Sequence, residues 1–513
     1  MRQGRCTNFG NCGVADRREL VTAAPGQELV CPECRRALSE IDKPSRGPSP
    51  LWVVGFIVLL LGFGYAGWLL LHRSSTAPNT APVLGSGAPP SGPKPSSSDV
   101  VLRLHGSNTI GAQLAPALAE AFLKAQGAQD VSTKSTGADE SAVTGSFSGK
   151  TQAIEIQAHG SATAFQDLAA GKCDIGMASR KIQAAEVLSL SSLGDMTSPA
   201  SEHVLGLDGL AVIVNRSNSL SALSERDIAR IFTGDVKDWK EVGGSGGTIK
   251  LYARDDKSGT YDTFRSLVLR GKPLAPDTVR VEDSRELSGK VAQDADAIGF
   301  VGLPYVLDAR ALAISENGTK ALLPTALTVS TEDYLLSRRL YLYTASNPKD
   351  PIVRRFVDFA LGKAGQDVVA ANGFVAQNVK AQLVKVVADA PADYKRLTDG
   401  AERLSLNFRF RTGSSTLDNK ALPDLDRVTS FISDLKYSGN DVMLFGFADS
   451  TGSRDANCRL SKDRAKVVSD QFGQRGLNPS TVNGFCSDLP VASNDTEEGR
   501  EKNRRVEIWV KKH

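Results

Sequence analysis

Apolar and polar positions divide this chain into blocks. Leu51 to Leu71 is a continuous run of Leu, Val, Gly, Phe, Ile, Trp, Tyr and Ala without a charge. At 1.5 Å per residue it spans roughly 30 Å, the hydrocarbon thickness of a bilayer. A buried core helix is seldom apolar on all sides for that length. A cleaved signal peptide does not start some fifty residues into a chain. Trp52, Tyr65 and Trp68 lie towards the ends of the run, where aromatic rings favour the membrane interface. The pattern therefore predicts one transmembrane signal-anchor helix over 51–71. Residues 72–98 are Ser, Pro, Gly and Ala with almost no large apolar side chain, a composition that cannot offset its ordering entropy. They read as a tether reaching roughly 25–30 Å as a coil, or about 75 Å if extended.

From 99 to about 380, short apolar strands alternate with helical periods. Strand patterns occur at Val101–Leu104, Ala153–Ile156, Leu210–Val214 and Ile249–Ala253, and each is expected to lead through a turn into a helical period. This predicts an α/β domain with buried sheets. Residues 381–403 read as a helical connector. Residues 404–513 again mix strands (Val442–Phe447, Val506–Val510) with amphipathic helices.

Charge and cysteine usage refine the picture. In 513 residues, 61 Lys and Arg face 58 Asp and Glu, a near balance that gives no reason to invoke nucleic acid. Arg35, Arg36, Lys43 and Arg46 precede the apolar run, while Arg73 alone follows closely. The positive-inside rule then places the N-terminus in the cytoplasm and everything after Leu71 outside it; the family resemblances given below imply that the membrane is the inner membrane and the outer compartment the periplasm. Cys6, Cys12, Cys31 and Cys34 fall on the reducing side, and Cys173, Cys458 and Cys486 on the oxidising side. Cys458 and Cys486 share one domain there and are expected to form a disulfide. Cys173 reads as a small buried core residue.

Cys6-x5-Cys12 and Cys31-x2-Cys34 supply four thiolates in two pairs, as tetrahedral Zn²⁺ requires. Residues 1–50 carry too few large apolar side chains to fold by burial alone, so structural zinc would contribute much of the folding energy. The module resembles zinc ribbons, with a first spacing longer than usual. The five histidines are scattered and suggest neither a catalytic metal cluster nor a Ser-His-Asp arrangement.

Three junctions in the middle domain share one design. Strand gives way to His105-Gly106-Ser107-Asn108-Thr109, to His159-Gly160-Ser161-Ala162-Thr163, and to Arg254-Asp255-Asp256-Lys257-Ser258-Gly259-Thr260, each followed by a helix. Free N–H groups, hydroxyls and the helix dipole suit an anion there, although ordinary Ser/Thr capping explains any one junction alone. Further stretches carry a resemblance: Asp208-Gly-Leu-Ala-Val-Ile-Val-Asn215, Asp227-Ile-Ala-Arg-Ile-Phe-Thr-Gly234, Arg254-x-Asp256-x-Ser258-Gly259-Thr260 and Ala297-Ile-Gly-Phe-Val-Gly-Leu-Pro-Tyr305. Residues 99–380 resemble the phosphate-binding proteins of phosphate ABC transporters. That resemblance implies a two-lobed periplasmic-binding-protein fold with the ligand in the cleft, and an ABC permease or signalling partner. Carried over by motif, Ser107, Asn108, Thr109, Ser161, Ser179, Arg254, Ser258, Gly259 and Thr260 would touch the anion, with Asp256 orienting Arg254. Many members carry an Asp that accepts the phosphate proton after the Ala-Ser pair. Here Arg180 follows Ala178-Ser179, so Arg180 would bind the anion and Asp256 would be the remaining acceptor.

Gly446-Phe-Ala-Asp449-Ser-Thr-Gly452, then Asn457-x-x-Leu460-Ser461-x-x-Arg464-Ala465, then Asn494-x-Thr496-x-x-Gly499-Arg500-x-x-Asn503-Arg504-Arg505 resembles the OmpA-like peptidoglycan-binding domain over 404–513. The resemblance implies a βαβαβ-type fold in which Asp449, Asn457 and Arg464 grip the diaminopimelate of peptidoglycan. The expected whole is a multi-domain α/β and α+β protein that captures or senses phosphate near the cell wall and catalyses no reaction. The alternatives are a membrane-to-wall tether with a vestigial binding domain, and a phosphoester enzyme.

Overall fold

The computed structural model describes residues 2–5, 20–23, 30–31, 38–40, 99–256, 258–316, 319–410 and 416–512. The chain divides into two compact units, Met1–Thr7 with Cys12–Ser96, and Asn8–Asn11 with Ser97–His513. In the first, Arg2–Arg5 pairs antiparallel with Leu20–Ala23 on one side and Ser39–Glu40 on the other. Of the four expected zinc ligands, Cys31 is buried, while Cys6, Cys12 and Cys34 lie outside the described residues, as do the apolar run 51–71 and the segment 72–98. Among the described residues, no helix is long and apolar enough to cross a membrane, and no group of three or more His, Cys, Asp or Glu side chains could hold a metal ion.

In the second unit one long sheet runs through both lobes of the middle domain. One lobe holds Asp99–Gly106 between Lys150–Gln157 and Ile175–Ala178, both parallel to it. The other holds Lys250–Arg254 between Val279–Val281 and Ala297–Gly302, again parallel. Two strands connect them, Glu202–Val214 and Ser337–Tyr343, antiparallel to each other. All but one residue of Glu202–Val214 are buried, as its apolar stretches on either side of Asp208 favour in a strand covered on both faces. The expected strand Leu210–Val214 is only its final part. Each lobe has its own core. Leu104, Leu118, Phe122, Ile154 and Phe356 belong to the first, and Val212, Phe232, Phe264 and Phe300 to the second.

The C-terminal domain is a five-stranded sheet in the order Ala381–Leu383, Glu402–Arg409, Arg505–Val510, Val442–Gly446, Thr481–Gly484. The helices Ala421–Asp434 and Arg454–Gly473 bury Leu425, Val428, Ala465 and Val468 in its core. This corrects the reading of 381–403 as a helical connector. Ala381–Leu383 pairs with Glu402–Arg409 as an edge strand of the C-terminal sheet, and only Ala392–Thr398 between them is helical. Tyr394 on that helix is buried against Phe445, Phe447, Phe485 and Trp509, so the segment is part of the domain core.

Candidate functional site

The first and third junctions face each other across one cavity. The strand Asp99–Gly106 ends at a glycine with φ +136°, where a Cβ would lie 2.1 Å from the Met177 carbonyl oxygen. That close approach lets Ser107 N–H donate to Met177 O at 2.8 Å and turns the chain into the short helix Asn108–Gly111. Opposite, Lys250–Arg254 leads to Ser258, whose hydroxyl accepts from Thr260 N–H and Tyr261 N–H at the start of the helix Gly259–Leu267. Ser258 is thus a true cap, and its own O–H remains a donor. Asn108, Thr109, Arg254, Ser258, Gly259 and Thr260 all line a cavity of about 240 Å³. Ser107 is buried beside it, and its hydroxyl and the Asn108 side-chain oxygen have no hydrogen-bond partner among the described residues.

Arg254 is the cationic centre of that cavity. Its guanidinium donates to Ser284 Oγ, lies 3.7 Å from Asp255, and keeps a buried Nε without a partner among the described residues. Burial pulls its pKa below the ordinary arginine value, against the raising influence of Asp255 and Asp283. Asp256 does not take the role expected of it. Its side chain is 84% exposed and pairs with Arg280 at 2.7 Å in the turn beyond the strand end, whereas Asp255 lines the cavity beside Arg254. The carboxylate that does line the cavity with an unpartnered buried oxygen is Asp208, through Oδ1. Its other oxygen accepts from Arg338 at 2.6 and 3.0 Å.

Ser161, Ser179 and Arg180 line a second cavity of about 300 Å³, together with Thr263, Arg338 and Arg339. Ser179 N–H donates to Ser161 Oγ at 3.0 Å, and the two hydroxyls lie 3.2 Å apart. Arg180 forms a two-pronged pair with Glu186 at 2.6 and 2.8 Å and lies over the Phe165 ring. Arg180, expected as an anion ligand, is thus placed with Ser161 and Ser179 and not with Arg254, and its fork is turned to Glu186. Gly259 lines the first cavity and lies close to Ser179 of the second. A Cβ there would lie 2.4 Å from Thr109 Oγ1 and 3.4 Å from Ser179 Oγ. Arg338 closes the same point, donating to Thr109 Oγ1 at 3.1 Å and also to Gly259 O and Thr263 Oγ1. Sequence reasoning missed Arg338, since Ser337-Arg338-Arg339 carries no motif. Asp208 stood within a quoted motif, and its polar side chain in an apolar strand was the available signal.

In the C-terminal domain, Asp449, Asn457 and Arg464 are all buried, the latter two on one face of Arg454–Gly473. Asp449 accepts from Thr451 N–H at 2.8 Å and from Arg504 at 3.0 Å, and Arg504 also binds Glu497 at 2.7 Å. Arg464 lies over the Phe410 ring and reaches the Phe447 carbonyl at 3.5 Å. The Asn457 side-chain oxygen is buried without a partner among the described residues. Arg504 is the residue missed here, although it stands in the quoted Asn503-Arg504-Arg505 stretch. Cys458 and Cys486 are bonded, tying the first turns of that helix to the chain after Thr481–Gly484. Cys173 is buried, and burial pushes its thiol pKa up to about 12, as an inert core cysteine requires.

Residues 105–364 match the family model of the PBP superfamily domain, and residues 409–504 match that of the OmpA family. Among similar proteins, the phosphate-binding protein PstS of Bacillus subtilis is 28% identical over 223 residues, 43% of this chain and 70% of that protein. PstS of Borreliella burgdorferi is 27% identical over 183 residues, 34% of this chain and 66% of that protein. The protein SphX of Synechococcus elongatus is 31% identical over 225 residues, 42% and 66% of the two chains. The chain thus spans about two thirds of the length of these relatives. Among solved structures, a putative phosphate ABC transporter substrate-binding protein with bound phosphate from Clostridium perfringens has 27% identity and a TM-score of 0.41, covering 54% of this chain and 98% of that one.

Proposed function

Because the chain belongs to the PBP superfamily, whose family model takes in residues 105–364 and so just over half of its length, we propose that the two-lobed domain binds inorganic phosphate or a similar oxyanion in its cleft. The observation that carries this is the convergence of donors from both lobes on one cavity. Asn108 and Thr109 come from one side, and Ser258, Gly259, Thr260 and the half-buried Arg254 with its buried, unpartnered Nε come from the other. A helix N-terminus and a half-buried guanidinium together offer charge-assisted hydrogen bonds to a tetrahedral anion. The unpartnered Oδ1 of Asp208 gives the cavity an acceptor, which a protonated phosphate can satisfy and a fully ionised sulfate cannot. Asp139, Asp255, Glu282 and Asp283 also line the cavity, so affinity rests on local dipoles and not on net charge. Titrating the whole chain calorimetrically with phosphate, sulfate and molybdate tests the reading. Phosphate should bind and sulfate should not; heat from none of the three, or from sulfate alone, would refute it.

The OmpA-family domain, on the same proposal, attaches the chain non-covalently to peptidoglycan through Asp449, Arg464 and Asn457. A carboxylate and a guanidinium on neighbouring elements can hold the two ends of a diaminopimelate zwitterion. Asp449 must then share its charge between the ligand ammonium and Arg504. Asp449→Asn should reduce pulldown with purified sacculi to near background while thermal unfolding stays cooperative. Retained pulldown would remove Asp449 from the site. With a single-pass inner-membrane anchor at 51–71, a cytoplasmic zinc module and the tether 72–98, the chain would capture or sense phosphate between membrane and wall. A permease or signalling partner would read the loaded state. These outer parts rest on the sequence patterns alone. The two PstS relatives are phosphate-binding proteins by name, and no reaction is invoked.

A further inference from the structure

Arg338 bridges the two lobes, and the turn that leads into it is held from the C-terminal domain. Its guanidinium is anchored on Asp208 and reaches Thr109 in one lobe and Gly259 O and Thr263 in the other. Thr109 Oγ1 accepts from Arg338, so its own proton is left to donate into the cavity. The residues that lead into Arg338 form a turn with Glu332 at φ +59°, a left-handed conformation uncommon for a residue other than glycine. Such a conformation persists only where the surroundings hold it.

Those surroundings are largely the C-terminal domain. Lys502 donates to Tyr334 O and Leu335 O, both at 2.8 Å, and reaches Ser337 Oγ at 3.4 Å. Asp418 takes Arg339 at 2.7 Å, and Arg339 in turn holds Glu332 at 2.9 Å. Asn407 and Arg409 both donate to Thr331 O at 2.9 Å. The turn 331–337 is thus gripped on both sides of its left-handed residue. The same domain also holds the far ends of the connecting strands. Asn419 donates to Thr197 O and to the Glu202 carboxylate at 2.8 and 2.9 Å, at the start of Glu202–Val214.

We propose that the C-terminal domain is a working part of the anion site, with Lys502 and Asp418 acting as positioning residues that fix the turn 331–337 and so aim Arg338 at Thr109 and Gly259. The wall-facing domain then sets the affinity of the cleft, and by reciprocity an anion in the cleft tightens the grip of that domain on the turn. Loosening the turn releases Arg338 from Thr109 and Gly259, and the two lobes lose one of the side chains that join them, with the Tyr305–Gln113 hydrogen bond left in place. Lys502 lies two residues before Arg504, the partner of Asp449, so the grip on the turn and the candidate wall site share one helix, Glu497–Asn503, and its end.

The inference rests on the cleft being the anion site, and the test separates the two. Inorganic phosphate is titrated into the full chain and into Lys502→Met, Lys502→Arg, Asp418→Asn and Arg338→Lys variants. Wild type should bind. Lys502→Met and Asp418→Asn should each weaken phosphate about tenfold, although neither residue lines the cavity, and Lys502→Arg should recover most of the loss. In the Arg338→Lys background the same two substitutions should cost less than about threefold further, because the path they act through is already cut. A wild type that binds no phosphate overturns the reading of the cleft. A wild type that binds with Lys502→Met and Asp418→Asn unchanged overturns this inference alone, and so does full additivity with Arg338→Lys. A purely structural role would lower thermal stability without that non-additivity. If the substituted chains fail to fold, hydrogen exchange on the wild type decides. Saturating phosphate should slow exchange of the backbone amides in 497–503, and unchanged rates there would overturn the inference.

Discussion

At Arg254 a buried guanidinium nitrogen has no partner among the described residues, and a charge so placed is costly unless a ligand completes it. Removing the side chain should therefore reduce phosphate affinity by at least roughly 2 kcal/mol. Arg254→Lys should recover little, because an ammonium cannot offer the planar fork. Asp256 supplies the contrast. It stands two residues away, yet its exposed pair with Arg280 belongs to the surface and is worth at most about 1 kcal/mol. Asp256→Ala should leave phosphate affinity within about twofold, as measured by calorimetry. A larger loss at Asp256 than at Arg254 would mean that the anion sits on the outer side of the turn.

Among the elements, the helix Gly259–Leu267 meets the opposite lobe at its first residue. A Cβ on its first residue, Gly259, would come within 2.4 Å of Thr109 Oγ1, so a larger residue there forces the Thr109 side chain or the helix to move. Gly259→Ala should keep each lobe folded but prevent this approach, and phosphate affinity should fall by about tenfold or more, read by titration with an unchanged far-ultraviolet spectrum. In the C-terminal domain, the helix Arg454–Gly473 presents Asn457 and Arg464 and is fastened near its start by the Cys458–Cys486 bond, at a sequence separation of 28. On the chain-entropy account that bond stabilises by roughly 3.5 kcal/mol. Cys458→Ser with Cys486→Ser should lower the unfolding midpoint of this domain in denaturant accordingly, and an unmoved midpoint would show that the bond constrains little.

Across the whole molecule, the two domains meet through buried charges, so docking should respond to pH. Burial alone would raise the pKa of Glu332, but Arg339, Arg409 and Lys420 outweigh it and hold the carboxyl down at about 2. Within the C-terminal domain, Arg403 and Arg505 do the same for Glu507, again at about 2. A carboxylate depressed in the folded state contributes stability that is complete above its unfolded pKa of about 4.5 and is lost as pH falls towards 2. Lys502 runs the other way. Burial, with Arg409 beside it, lowers its pKa to about 8 against the raising influence of Glu332, Glu316 and Asp333. The unfolded chain then binds more protons between about pH 8 and 10.5, so this lysine's contribution becomes more favourable as pH rises through that window. Calorimetric unfolding should show one coupled transition near neutral pH and a separate, earlier loss of docking below about pH 4. A single transition down to pH 2 would show that the charged interface does not govern docking.

The parts of this protein that its sequence determines by itself are those set by local pattern. Alternating apolar strands and glycine-bearing turns predicted the α/β lobes, and the Ser258-Gly259-Thr260 run predicted a helix start that does carry a serine cap. Ser258, Gly259, Thr260, Arg254, Asn108 and Thr109 share one cavity because each lies at the end of a strand in a parallel sheet, where such turns must gather. What only the tertiary structure decided is which charge answers which. Asp255 and Asp256 are neighbours in sequence, and the turn beyond the strand sends one towards Arg254 and the other to Arg280. Arg338 and Asp208 are 130 residues apart and meet because Glu202–Val214 and Ser337–Tyr343 lie side by side between the lobes. Ala381–Leu383 carries too few residues to announce a strand and becomes one through hydrogen bonds to Glu402–Arg409. The grip of Lys502 on the turn before Arg338 has no trace in either local sequence, since a lysine that is solvated in most settings becomes a structural donor only where two carbonyls from another domain are brought to it.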